Sequence, residues 1–181
     1  MKDVVKKIII TGGPGTGKST LVNHLTDKGY TCMEEISRQV TIEAQAQGIG
    51  QLFLKDPLQF SNKLLEGRIG QFLDADKMKD SHVFFDRGIP DVLAYMNYKG
   101  DPYPPSYDEH SRLYRYDKVF ILPPWEAIYI SDSVRYENFD QANSIHEHLV
   151  STYEDFGYNL LEVPVGTIET RADFILNHLK L

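Results

Sequence analysis

The run Ile8-Ile9-Ile10-Thr11-Gly12-Gly13-Pro14-Gly15-Thr16-Gly17-Lys18-Ser19-Thr20 passes from an apolar strand pattern through a glycine-rich turn into an apolar-periodic helix. Gly12, Gly13, Pro14, Gly15, Thr16, Gly17, Lys18 and Ser19 fit G-x-x-x-x-G-K-[ST], in the strand-loop-helix context that this phosphate-cradling motif requires. Glycines let successive backbone N–H groups turn inward as a concave nest of donors, where side chains would obstruct an anion. The helix that starts near Gly17 adds its unpaired N–H groups and the positive end of its dipole. Lys18 is placed to bridge β- and γ-phosphates, Ser19 to ligate a Mg²⁺ ion that keeps several waters, and Thr20 to meet the α-phosphate. The stretch predicts a nucleoside triphosphate site, with ATP and Mg²⁺ as cofactors.

The flanking sequence extends the alternation of strand and helix. A strand over 6–11 leads into the loop, and Leu21, Val22 and Leu25 mark the inner face of a helix over 19–28 that Gly29 ends. A second strand is expected over 30–34 and a helix over 37–47, broken at Gly48-Ile49-Gly50. Asp56 and Pro57 suit the cap and first turn of a long amphipathic helix reaching about residue 79, with Leu58, Leu64, Leu65, Ile69, Phe72 and Leu73 inward. His82-Val83-Phe84-Phe85 and Lys118-Val119-Phe120-Ile121-Leu122 are nearly continuous apolar runs, the pattern of parallel strands buried on both faces. The proline- and tyrosine-rich stretch 100–107 between them reads as an ordered surface loop. A helix near 141–156, a strand over 159–163 and a helix after Thr167 complete the chain. The order β-α-β-α-α-β-α-β-α-β-α predicts an α/β fold: a three-layer α/β/α P-loop NTPase domain over 1–181, like a nucleotide kinase, with a parallel sheet of about five strands and a lid-like segment at about 125–140.

At 181 residues the chain has the size of one domain with a full core. A net charge of -7 and a pI near 5.3 argue against a nucleic-acid surface, which needs basic patches. The single cysteine, Cys32, excludes an internal disulfide and fits a reducing compartment. Three isoleucines before the glycines are too short for a signal peptide or a membrane helix. The expectation is a soluble, cytoplasmic protein whose partner is a small-molecule phosphoryl acceptor, not nucleic acid or a membrane, with the oligomeric state left open.

In a parallel sheet of this kind ligands collect beyond the carboxyl ends of the strands, which nominates a second group of residues. Asp86 closes an apolar strand where a carboxylate can hold the metal and its water shell; the structural alternative is a helix cap or an ion pair with Arg87. Arg87 stands where a mechanical ATPase has an acid that polarises lytic water, and its planar fork suits phosphate oxygens instead. Glu35 is the candidate general base toward a substrate hydroxyl, with Arg38 three residues on and Asp91 as further substrate contacts. Glu34 points the other way if the strand persists. Asp132 and Arg135 lie in the lid-like segment, from which Arg135 would close on the γ-phosphate as charge develops. His146 and His148 are two apart on a helix and so face different directions, which is not a metal pair.

These motifs give the chain a resemblance, over nearly its whole length, to the bacterial NadR/Ttd14-like P-loop proteins, also described as predicted AAA-type ATPases. Besides the loop, the resemblance rests on Glu35-x-x-Arg38, Phe85-Asp86-Arg87-Gly88-Ile89-Pro90-Asp91, Tyr114-Arg115-Tyr116-Asp117, Leu122-Pro123-Pro124-Trp125, Ile128-Tyr129-x-x-Asp132-x-x-Arg135 and Arg171-Ala172-Asp173-Phe174-Ile175. It implies an ATP site and an ATPase- or kinase-like core. The nicotinamide riboside kinase branch is similar in carrying a Glu-x-x-Arg pair after strand two, whereas Asp86-Arg87-Gly88 is more like nucleoside and nucleotide kinases. The arginine-finger and sensor patterns of ring-forming ATPases are not evident, nor is the N-K-x-D guanine-reading motif.

The sequence thus predicts a kinase that transfers the ATP γ-phosphate to a hydroxyl or phosphate of a nucleoside-like small molecule. Its alternative is a nucleotide-dependent switch or ATP hydrolase with a protein or lipid partner.

Overall fold

In a computed structural model, which describes residues 4–129 and 137–181, five strands form one parallel sheet. They are β1 (Lys6–Gly12), β2 (Cys32–Met33), β3 (His82–Asp86), β4 (Lys118–Leu122) and β5 (Leu160–Glu162), in the order β2-β3-β1-β4-β5. The helices are α1 (Lys18–Asp27), α2 (Ile36–Ala46), α3 (Leu52–Lys55), α4 (Pro57–Ala75), α5 (Ile89–Lys99), α6 (Ser106–Leu113), α7 (Phe139–Asp155) and α8 (Ile168–Leu179), with a 3₁₀ turn at Glu126–Ile128. Register places Ile10 between Asp86 and Phe120, and Gly12 beside Leu122, so the glycine-rich loop leaves the sheet between the ends of β3 and β4.

Period-two alternation explains why continuous apolar runs were needed. Ile9, Val83, Phe85, Val119 and Ile121 face a core completed by α2, α4, α5, α6 and α7. Ile8, Ile10, Phe84, Phe120 and Leu122 face the opposite core, completed by Leu21, Val22 and Leu25 of α1 and Ala172, Ile175 and Leu176 of α8. Each such buried Ile, Leu, Val or Phe contributes about 1.5–3 kcal/mol relative to exposure. The architecture is three-layer α/β/α around a five-stranded parallel sheet.

Local departures from the sequence reading have physical causes. The long helix ends at Ala75, not near 79, and Asp56 caps it by accepting from the Gln59 N–H at 2.9 Å. Its inner stripe runs through Ser61, Leu64, Leu65, Arg68 and Ala75, which leaves Leu73 off the stripe and Leu58 in the exposed first turn. The expected loop over 100–107 ends at Pro105, because Ser106 and Tyr107 open α6 and the Tyr107 ring is buried. Its hydroxyl donates to Asn62 Oδ1, satisfying the polar tip. β2 is shortened to two residues at the sheet edge, and Glu35 becomes the N-terminal cap position of α2. Among the described residues no helix is long and apolar enough to cross a membrane.

Candidate active site

The glycine-rich loop is shaped by two left-handed residues, Gly15 at φ 71° and Gly17 at φ 77°, a region that a β-carbon disfavours. Space enforces the remaining glycines. A β-carbon on Gly12 would stand 2.9 Å from Thr16 Oγ1 and 3.0 Å from Leu122, and one on Gly13 3.3 Å from the Ala142 carbonyl. Thr16 Oγ1 donates to the Gly13 carbonyl at 3.0 Å, closing the loop on itself. Among the described residues the N–H groups of Gly15, Gly17, Lys18 and Ser19 find no protein acceptor. Pro14 has no N–H to give. A cradle with no room for side chains, unpaired N–H donors and a lysine at its helical end fits a polyphosphate. Ser19 is exposed beside it, and with Asp86 it offers the hard oxygen donors that suit Mg²⁺.

Lys18 is only 6% exposed. Its ammonium donates to Asp86 Oδ1 and lies 3.8 Å from Glu35 Oε2. The other oxygen of Glu35 accepts from Arg87 Nε at 3.0 Å, and Arg87 Nη1 is 3.4 Å from Asp91 Oδ1. Burial pushes the Lys18 ammonium down and the nearby Arg87 charge adds to this, with Glu35 and Asp86 opposing. Burial alone would raise Glu35, but the Arg87 and Lys18 cations outweigh it and hold the carboxyl down at about 2. Arg87 itself is at φ 73°, where β3 turns into α5, with its N–H donating to the Ile10 carbonyl at 3.0 Å. A left-handed arginine costs on the order of 1–3 kcal/mol, held here by that bond, both carboxylates and the Tyr95 ring 5.2 Å below the guanidinium.

Asp91 has no exposed surface. Its Oδ1 accepts from the Thr11 hydroxyl and Arg87, and its Oδ2 from the Gly88 N–H at 2.8 Å and the Tyr153 hydroxyl. All of its acceptor directions are thus spent on the protein, and the structure places it behind Arg87, with Oδ2 capping the Gly88 N–H at the start of α5. Arg38 is exposed on α2, and among the described residues no ion pair joins it to Glu35. Thr20 is likewise exposed, and Asp132 and Arg135 lie outside the described residues.

Beside this cluster opens a pocket of about 510 Å³, within the range of small-molecule sites. Glu35 and Arg87 of the cluster line it, with Asp91 behind them, together with the apolar Phe53, Phe60, Tyr95 and Met96 and the cationic Arg68. Arg68 is 3% exposed, donates through Nη1 to the Gly88 carbonyl at 2.9 Å and leaves Nε without a partner.

A family profile described as an AAA domain matches residues 7–171. The chain belongs to the AAA domain family. This AAA-domain chain also has the fold of several solved proteins. Deoxyadenosine kinase from M. mycoides with bound dATP is 18% identical, with a TM-score of 0.68 over 97% of this chain and 100% of that one. A NadR protein in complex with NR is 18% identical, with a TM-score of 0.72 over 97% of this chain and 50% of that one. Thymidylate kinase from Ehrlichia chaffeensis is 16% identical, with a TM-score of 0.63 over 97% of this chain and 99% of that one. No match is found among curated proteins. The NadR-like P-loop resemblance read from the sequence is borne out at the level of family and fold.

Sequence reasoning did not single out Arg68, Tyr153, Thr11 or Arg171 for the site. Arg68 falls on the Leu64-Leu65 stripe of α4 and Arg171 beside Ala172 and Ile175 on that of α8. An arginine on the inner stripe of a helix was the available signal, since it must find partners inside the fold.

Proposed function

We propose that this AAA-domain chain is an ATP-dependent phosphotransferase that moves the γ-phosphoryl group to a hydroxyl of a nucleoside-like small molecule. The carrying observation is that Glu35 spans the two halves of the site, with Oε2 toward the phosphate-loop lysine and Oε1 on the arginine of the pocket. A hydroxyl entering from the pocket meets a carboxylate on its way to the loop, the arrangement that alcohol phosphorylation requires. A phosphate acceptor would need no proton removed and would be repelled by Glu35, so the carboxylate favours an alcohol. The fold shared with proteins named deoxyadenosine kinase and thymidylate kinase supports phosphoryl transfer in general, and the choice of an alcohol acceptor rests on Glu35.

In this reading the loop N–H groups and Lys18 bind the triphosphate. Ser19 and Asp86 would hold Mg²⁺, which supplies neutralisation of phosphate charge. Arg87 holds the Glu35 carboxylate ionised and aimed, and the left-handed turn fixes Arg87. As Lys18 moves from the carboxylates to the phosphates, Glu35 loses one of the cations that depress it and becomes a stronger base.

The test is ADP formation from Mg·ATP with pooled nucleosides and hydroxylated vitamins, with products identified by mass spectrometry. Stimulated turnover and a product of added phosphate mass are expected, absent from Lys18→Ala. Glu35→Gln should lower transfer about 10²–10⁴-fold while ATP affinity stays within a few-fold. Slow turnover that no acceptor stimulates would refute the transferase reading in favour of a hydrolase.

A further inference from the structure

Three arginines are buried in the described structure, Arg68, Arg87 and Arg171, and they differ in what neutralises them. Arg87 meets two carboxylates. Arg68 and Arg171 have no carboxylate within ion-pair distance among the described residues, and each leaves its Nε unpartnered. Arg68 borders the acceptor pocket. Arg171 lies at the opposite end of the site, against the phosphate loop.

Arg171 is carried on α8 and is 2% exposed. Its Nη2 donates to the Thr16 carbonyl at 2.9 Å, and a β-carbon on Gly17 would stand 2.8 Å from its Nη1. The Trp125 ring is 5.8 Å from the guanidinium carbon, a weak cation–π contact that is no substitute for a counter-ion. Burial pushes the guanidinium down, and among the described residues no carboxylate pairs with it. An uncompensated buried charge is costly, and replacing buried charges by apolar side chains is often neutral or stabilising. The fold keeps one here nonetheless.

We infer that Arg171 is a positioning residue and buried counter-charge for the nucleotide's phosphates, its missing anion being the polyphosphate itself. The inference rests on the reading of the loop as a triphosphate site. A trans peptide is planar, with its C=O and N–H pointing in opposite directions. Pinning the Thr16 carbonyl against α8 therefore fixes the Gly17 N–H to point away from α8, and among the described residues it has no protein acceptor. A charge behind the loop also acts through a poorly screened interior, so it favours a polyanion at no reorganisation cost when the ligand arrives.

The experiment compares wild type, Arg171→Met and Arg171→Lys by binding of ATP, AMP and adenosine to folded protein, and by thermal unfolding without nucleotide. Methionine keeps the length of the side chain and removes charge and donors. Arg171→Met should weaken ATP about 10- to 100-fold, the scale of removing one poorly screened charge that favours the polyanion, and leave adenosine within about twofold. Its nucleotide-free unfolding midpoint should equal or exceed that of wild type, and Arg171→Lys should recover part of the ATP affinity. An unchanged ATP affinity in Arg171→Met, above all with a lowered midpoint, would make Arg171 a purely structural brace and overturn the inference. If wild type binds no nucleoside triphosphate, the reading of the loop fails first and the inference falls with it.

Discussion

Replacing Asp91 by asparagine separates a substrate contact from an internal brace. The carboxylate accepts from Thr11 and Arg87 on one oxygen and from the Gly88 N–H and Tyr153 on the other. An amide offers one accepting oxygen and one donating nitrogen in their place. The hydroxyls of Thr11 and Tyr153 can rotate to accept, but the Gly88 N–H and the Arg87 guanidinium can only donate. Whichever way the amide turns, one of those two loses its partner and the others lose the charge that strengthens them. One charged bond lost and the rest weakened amounts to about 2–4 kcal/mol. For a chain of this length that is a fall of roughly 5–15 °C in the unfolding midpoint. Scanning calorimetry of nucleotide-free wild type and Asp91→Asn measures it. An unchanged midpoint with a raised KM for the acceptor would refute this reasoning and return Asp91 to the substrate contact that its position after Asp86-Arg87 suggests.

Lys18→Ala should abolish ATP binding by calorimetric titration, since it removes the loop's cation and leaves Asp86 without its ammonium. Glu35 has a folded pKa of about 2 against an ordinary 4.5, so its stabilisation is complete above pH 4.5 and is lost as pH falls through 2. The difference between wild type and Glu35→Gln in urea unfolding should therefore shrink by about 3 kcal/mol across that window, and a pH-independent difference would show that the ion pairs do not act in this way. Two glycine substitutions should have opposite signs in the same assay. Gly88→Ala puts a β-carbon 2.3 Å from Ile9 Cδ1 and should cost about 1–3 kcal/mol, whereas Gly70→Ala in α4 meets open space and should gain about 0.5–1 kcal/mol.

What was legible in the sequence had a local cause. The phosphate loop is a property of consecutive residues, since glycine, lysine and serine act through their own backbone and the helix that follows. The buried strands were legible because apolar runs such as 83–85 and 119–122 can be satisfied in few other ways. The place of Asp86 beside the loop lysine could be read because it follows such a run directly. The role of Asp91 was not legible, because three residues after Gly88 it reads equally as a cap or as a ligand. Its partners Thr11 and Tyr153 are 80 and 62 residues away in sequence. Arg171 is 155 residues from the carbonyl it holds, a relation that only the packing of α8 beside α1 creates. The shortening of β2 was equally invisible, since it depends on where the edge of the sheet runs out of partners.

The pairing of Lys18 with Asp86 bears on what kind of anion the loop can accept. Both groups are almost fully buried, and breaking a buried pair leaves each partner exposed to a desolvation cost of several kcal/mol unless it is paired again. A bare anion would satisfy Lys18 and strand Asp86. A ligand that carries its own cation satisfies both at once, the anion taking the ammonium and the cation taking the carboxylate. On the phosphotransferase reading proposed above, the ion pair would hold the two charges in mutual balance until a metal-chelated polyphosphate replaced both halves together.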